Sequence, residues 1–259
     1  MLYGRGYSLR VTDLDARAAQ RAAEELGPRA SGAGLDVRDE EACRAAAADI
    51  VAEAGSLSVW VNNAGVLFTG PAWEQDSKTR QLMLDVNATG TINGSLAALA
   101  EMRRAGGDGH IVNIISLAGL VAAPGEAIYG ASKHAAIAFS IGTLADLRLA
   151  GVRGIDISCV CPDGIWTPML EDKLDDRTAA ASFTGVLLLP EQVARRVDWL
   201  LDHPRPVIVI PRWRGPMIRS FDRWPRLAVW GARPVLALGR LQQRMFARRV
   251  RRGSWPPRS

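Results

Sequence analysis

Residues 1–211 predict an α/β fold, a doubly wound parallel sheet wrapped by helices, followed at 212–259 by a basic helical extension. Two observations carry the prediction. Short runs of β-branched and apolar residues alternate with longer helical patterns, the order that lays strands side by side beneath covering helices. At 259 residues and 48% hydrophobic content, the chain is also long enough to bury one full core. The extension stands apart by charge. Residues 205–259 hold fourteen arginines and one acid, Asp222, a net +13, so the +5 of the whole chain leaves −8 on residues 1–204.

The elements follow in order. Met1–Gly6 resembles a last helical turn with Gly6 as its C-cap. Tyr7–Asp13 reads as a strand, and Asp15–Leu26, rich in Ala, Glu and Arg, as a helix. Gly34-Leu35-Asp36-Val37 ends a short strand, and Asp39 caps a helix reaching about Ala54. Leu57–Val61 is a strand running into Asn62-Asn63-Ala64-Gly65. A long helix contains Asp85-Val86-Asn87-Ala88-Thr89-Gly90. The loop Gly106-Gly107-Asp108-Gly109 feeds the strand His110–Ile115, which delivers Ser116. A helix carries Tyr129 and Lys133, and Gly154–Cys161 is a strand ending at Pro162-Asp163-Gly164-Ile165-Trp166-Thr167-Pro168. A helix over 190–202 and a strand from Pro206 to Ile210 complete the series.

Several classes are excluded. No run of about 18 apolar residues exists to span a bilayer, and the segment after Met1 is too short and polar for a signal peptide. Cys43, Cys159 and Cys161 form neither an even set nor a Cys-x-x-Cys pair, which suits a reducing, cytoplasmic setting. His110, His134 and His203 are far apart, so no metal site is expected.

Tyr129-Gly130-Ala131-Ser132-Lys133 carries the chemistry. Residues four apart lie one helical turn from each other. A phenol with an ordinary pKa of about 10 is a poor acid at neutral pH, and a nearby ammonium would lower that value. Ser116, delivered from a strand end, would hold a carbonyl oxygen beside the phenol.

Together with the Asn62, Asn87 and Pro162 motifs in that order, these residues make positions 5–211 resemble the short-chain dehydrogenase/reductase family, whose fold is Rossmann-like. The resemblance implies an oxidoreductase moving a hydride between NAD(H) and an alcohol or carbonyl substrate. It implies Tyr129 as general acid/base, Lys133 as the residue that depresses its pKa and binds the nicotinamide ribose, Ser116 as substrate-orienting, and Asn87 as holder of a proton-relay water. Bridging backbone groups around a helix distortion is the alternative role for Asn87. Asp13 would bond the ribose 2′-hydroxyl, and with Leu14 after it NAD is implied over NADP, although Asp13 or Asp15 would equally serve as a helix N-cap. Asp36 and Val37 match the adenine edge, and Asn63 a strand-stabilising or adenosine-contacting asparagine in Asn63-Ala64-Gly65. Pro162 and Thr167 match the carboxamide loop, where Asp163 replaces the family's usual glycine. Met169–Leu189 corresponds to a substrate lid, whose apolar ends suggest an apolar alcohol or ketone; leading into the next helix explains the same leucines. A homo-oligomer is also implied.

The family opens with a strand, a glycine-rich pyrophosphate turn and a helix, and Tyr7–Asp13 matches its second strand. The expectation is a start upstream of Met1; otherwise the sheet lacks its central strand and two strands separate from the rest. On that second alternative the chain is a non-catalytic, surface- or membrane-associated binding protein on a degenerate dehydrogenase scaffold.

In the extension, Val235, Leu238, Leu241, Met245 and Phe246 fall near one helical face, Arg240, Arg244, Arg248 and Arg251 elsewhere, with Trp213, Trp224, Trp230 and Trp255 as aromatics. Attachment to an anionic membrane surface and packing on the acidic body or a neighbouring subunit fit this pattern equally. Nucleic-acid binding ranks third, because no reading motif accompanies the charge.

Overall fold

The computed structural model describes residues 1–255, apart from the side chains of Asp222 and Leu227; positions 256–259 of the extension lie outside the described residues. Strands and helices alternate as β1 (Leu9–Asp13), α1 (Ala16–Leu26), β2 (Ala30–Gly34), α2 (Glu40–Ala54), β3 (Val59–Asn62), α3 (Ser77–Leu84), α4 (Gly90–Arg104), β4 (Gly109–Ile114), α5 (Ala127–Leu149), β5 (Ile155–Pro162), α6 (Pro168–Glu171), α7 (Pro190–Asp202) and β6 (Val207–Ile210). The extension forms α8 (Arg214–Arg223) and α9 (Pro225–Arg251).

All pairing is parallel, in two sheets: β1 with β2, and β3-β4-β5-β6. Among the described residues β1 and β3 therefore each keep an unpaired edge. Helix packing joins the two sheets: Leu35, Cys43 and Ala47 share one core with Ala97, Ala98, Met102 and Ile111. Asn93 reinforces it, its Nδ2 donating to Val37 O at 3.0 Å and Arg38 O at 3.2 Å. At the other end Arg5 reaches α7, bonding Asp198 at 2.7 Å and Asp202 at 2.6 Å.

Local signals work as the sequence predicts. Gly6 closes a short turn at φ +92°, and Asp15 and Asp39 accept the N–H groups of Arg17 and Ala42 as N-caps. Element edges move slightly. β1 begins at Leu9 because Tyr7 N turns back to Leu2 O, and β2 ends at Gly34, so Asp36 and Val37 lie in the following loop. The long helix at Asn87 is three pieces, α3 and α4 flanking a π-turn over Asp85–Thr89.

The extension packs on the lid. Phe246, Val250 and Trp255 join Trp166, Leu170, Phe183 and Leu187 in one apolar cluster, with Phe246 edge-on to Trp255 at 5.5 Å. Gln243, buried, donates to Lys173 O at 2.7 Å and Asp176 O at 2.8 Å. Phe246 and Trp255 therefore face protein, filling the gap between α9 and the lid, as the packing alternative expected for them. No described helix is long and apolar enough to cross a membrane.

Candidate active site

The C-terminal ends of β3, β4 and β5 deliver Asn62, Ser116 and the Pro162 loop to one side of the sheet, where ligand crevices of open α/β sheets lie. Ser116 Oγ accepts the Ala118 N–H at 3.1 Å. Tyr129 and Lys133 stand one turn apart on α5, Lys133 Nζ lying 5.7 Å from the phenol ring centroid and donating to Ile114 O at 3.3 Å. Ser116, Tyr129 and Lys133 share the wall of a cavity of about 1210 Å³.

Burial dominates the electrostatics. Desolvation pushes the Tyr129 phenol up, the Glu126 carboxylate adds to the rise, and a hydrogen bond with Ser116 opposes it. Desolvation also brings Lys133 down to about 8. The expected depression of the Tyr129 pKa by Lys133 is thus corrected. The ammonium is itself costly in this dry wall and is turned toward Ile114 O.

Asn87 is fully buried in the π-turn. Its Oδ1 accepts Val66 N–H at 2.8 Å, and its Nδ2 donates to Val66 O at 2.9 Å and Ser132 Oγ at 3.1 Å. One donor hydrogen bridges the distorted helix to the Val66 loop, the alternative left open by the sequence, and the other ties it to Ser132 on α5. The strand-stabilising asparagine is Asn62, not Asn63. Asn62 Nδ2 donates to Asn113 Oδ1 at 2.8 Å and Ser95 Oγ at 2.9 Å, and Asn113 donates to Ser140 Oγ at 2.8 Å. The alternation of the strand points Asn62 inward and leaves Asn63 exposed in the cavity wall.

Beyond that wall the cavity is lined by Asp13, Asp36 and Val37, with Asn63, Ala64 and Gly65 leading back to it. Asp13 Oδ1 accepts Asp15 N–H at 2.9 Å, so Asp15 is the helix cap and Asp13 keeps its other oxygen for a ligand. Asp36 is bound by Arg38, which holds its carboxyl below the usual range. A Cβ at Gly65 would press on Asn87 Oδ1 and approach Lys133 Nζ, so the backbone there gives room beside the catalytic wall. Thr167 Oγ1 makes only a long bond, 3.4 Å, to Ile165 O. This donor set fits the adenosine, ribose and carboxamide parts of a nicotinamide dinucleotide. Among the described residues no glycine-rich turn opening a helix supplies a pyrophosphate cradle.

Three features escaped the sequence. Glu126, buried at the start of α5, accepts Ser182 Oγ from the lid at 2.5 Å and is raised to about 7 by burial. Its spacing of three from Tyr129 and seven from Lys133, one helical stripe, was a readable signal. Asp163 accepts Gly164 N at 3.2 Å and Val186 N at 3.0 Å and pairs with Arg214 at the start of α8. Met217, Phe221, Val235 and Leu236 of the extension line the same cavity as Tyr129.

Layering, topology and crevice place the chain among the Rossmann-like dinucleotide folds. Residues 1–178 match the family described as short chain dehydrogenase, and the chain belongs to that family. SadH of Mycobacterium tuberculosis, named as an oxidoreductase, is 35% identical over 184 residues, 68% of this chain and 66% of that protein, so the match spans just under two thirds of that relative. Cyclopentanol dehydrogenase of Comamonas is 32% identical over 209 residues, 78% of this chain and 82% of that enzyme. A solved short chain dehydrogenase/reductase from Burkholderia phymatum in complex with NAD superposes with a TM-score of 0.79 at 25% identity, covering 87% of this chain and 88% of the other.

Proposed function

We propose that this protein is an NAD(H)-linked dehydrogenase or reductase acting on an apolar alcohol or ketone. The observation that carries the reading is the convergence of Ser116, Tyr129 and Lys133 on one cavity wall. Nicotinamide, when bound, supplies or accepts the hydride. Ser116 holds the substrate oxygen, and Tyr129 exchanges the hydroxyl proton at that oxygen. Lys133, lowered to about 8, can take or return a proton near neutral pH. Asp13, with its free oxygen, favours a ribose hydroxyl and disfavours a 2′-phosphate, which supports NAD over NADP. The NAD-bound neighbour and the cyclopentanol-oxidising relative support both choices.

The test is turnover with NAD and a panel of apolar secondary alcohols, followed as NADH absorbance, alongside NADH calorimetry. Tyr129→Phe abolishes turnover and leaves NADH binding intact. Unchanged turnover in that variant overturns the chemistry, and absence of NADH binding favours a non-catalytic scaffold.

A second proposal concerns the extension, which we read as a membrane-surface anchor. Leu238, Leu241 and Met245, spaced three and four apart, form one exposed stripe on α9. Arg240, Arg244 and Arg248 are exposed on the adjacent flank, and Trp230 is 87% exposed. An apolar stripe bordered by arginines is the pattern that lies flat in an anionic interface.

A further inference from the structure

The cavity has two chemically different ends. Acids and asparagines of the strand ends line one, as described above. The other is roofed by the extension, through Met217, Ile218, Phe221, Ala232, Val235 and Leu236. The catalytic wall lies between them. The charged groups nearest the roofed end are already engaged: Arg214 and Asp163 with each other, and Glu126 with Ser182. A ligand body there meets methyl, thioether and aromatic groups, with no free charge for a polar substituent to join.

The roofed end is also open. Val235 and Leu238 both line the cavity and remain 37% and 49% exposed, so they stand at its mouth. The apolar stripe continues outward from this mouth through Leu241 and Met245.

We infer that the site takes lipid-sized secondary alcohols or ketones, with the oxygen at Ser116 and Tyr129 and an extended aliphatic body lying under α8 and α9 toward the mouth at Val235 and Leu238. The inference rests on the alcohol/ketone reading above and adds that the C-terminal extension is the wall that selects substrate length. Each methylene laid against this roof leaves water, which corresponds to roughly a fourfold gain in affinity per added carbon until the chain reaches the mouth.

The experiment reads binding on the full chain, independent of hydride transfer. 1-Aminoanthracene, a neutral apolar fluorophore, is bound and then displaced by a series of 2-alkanones from hexanone to hexadecanone. The expected result is a displacement constant falling roughly fourfold per methylene and then levelling. Ala232→Trp, which fills the roof, lowers the affinity ratio between tetradecanone and hexanone at least tenfold. Val235→Trp, at the solvent-facing mouth, makes the same measurement where Ala232→Trp does not fold. A flat length dependence, or one that neither variant alters, overturns the inference. Failure of the dehydrogenase reading shows instead as absent turnover with the length dependence intact, and failure of the inference leaves turnover on short alcohols in place.

Discussion

Arg214 Nε sits 3.0 Å from Asp163 Oδ2, and both side chains are more than nine-tenths buried. The pair ties the first turn of α8 to the loop leaving β5, and Val186 N–H brings the lid to the same carboxylate. It accounts for the aspartate that stands where the family carries glycine: the side chain is the anchor of the extension. Gly185 is the complement, since a Cβ there would run into the Asp163 carboxylate.

Arg214→Met should destabilise the fold by about 3–5 kcal/mol, because it leaves a buried carboxylate unpaired. Adding Asp163→Asn should recover part of that loss. Urea denaturation of the two single variants and the double variant measures the coupling; additive losses would show that the pair does not hold the extension.

Glu126 gives a pH signature of definite sign. Its carboxyl rises from 4.5 to about 7 on burial, so the folded state holds a proton that the unfolded chain has released. That contribution to stability is complete below about pH 4 and is lost as pH rises through 7. Glu126→Gln should flatten this slope and gain roughly 3 kcal/mol over the native chain near pH 8 relative to pH 4. Lys133, lowered to about 8 from 10.5, acts with the opposite sign at higher pH, so the comparison stops near 8. Parallel stability profiles for the two proteins would refute the assignment.

Gly239 faces the lid so closely that a Cβ would strike Ala180 O, a backbone atom that cannot rotate away. Gly239→Ala should cost about 1–3 kcal/mol and loosen α9 from the segment Arg177–Phe183. Hydrogen exchange should rise in both segments together. Faster exchange in α9 alone would mean that the lid stands without it.

The full chain should co-sediment with anionic vesicles at low salt, with binding weakened by added salt and by neutral lipid. Leu241→Asp with Trp230→Ser removes exposed apolar contact and should reduce sedimentation at least tenfold while leaving the melting temperature unchanged. Equal sedimentation of the variant would assign the stripe to another partner.

Much of this was legible in the sequence. The order of strands and helices and the caps at Asp15 and Asp39 rest on periodicity and on contacts within a few residues, which sequence records directly, while the Ser116–Tyr129–Lys133 set was legible through the ordered family motifs. The Tyr129 and Lys133 pKa directions were not legible, because they depend on burial by distant elements. Nor was the choice of Asn62 over Asn63, which turns on a one-residue register within β3 and its pairing with Asn113.

The sequence by itself determined the family and the parallel α/β layering, and it singled out Ser116, Tyr129 and Lys133 as the candidate site. Tertiary structure decided where the extension packs. Its arginines and tryptophans fit membrane attachment and protein packing equally as a pattern. Only the folded chain shows one face of α9 closing on the lid through Gly239, Gln243 and Phe246, and another left bare at Leu241 and Met245. The physical reason is that an amphipathic pattern specifies which side of a helix seeks burial, whereas the partner is set by shape and charge brought together from remote parts of the chain.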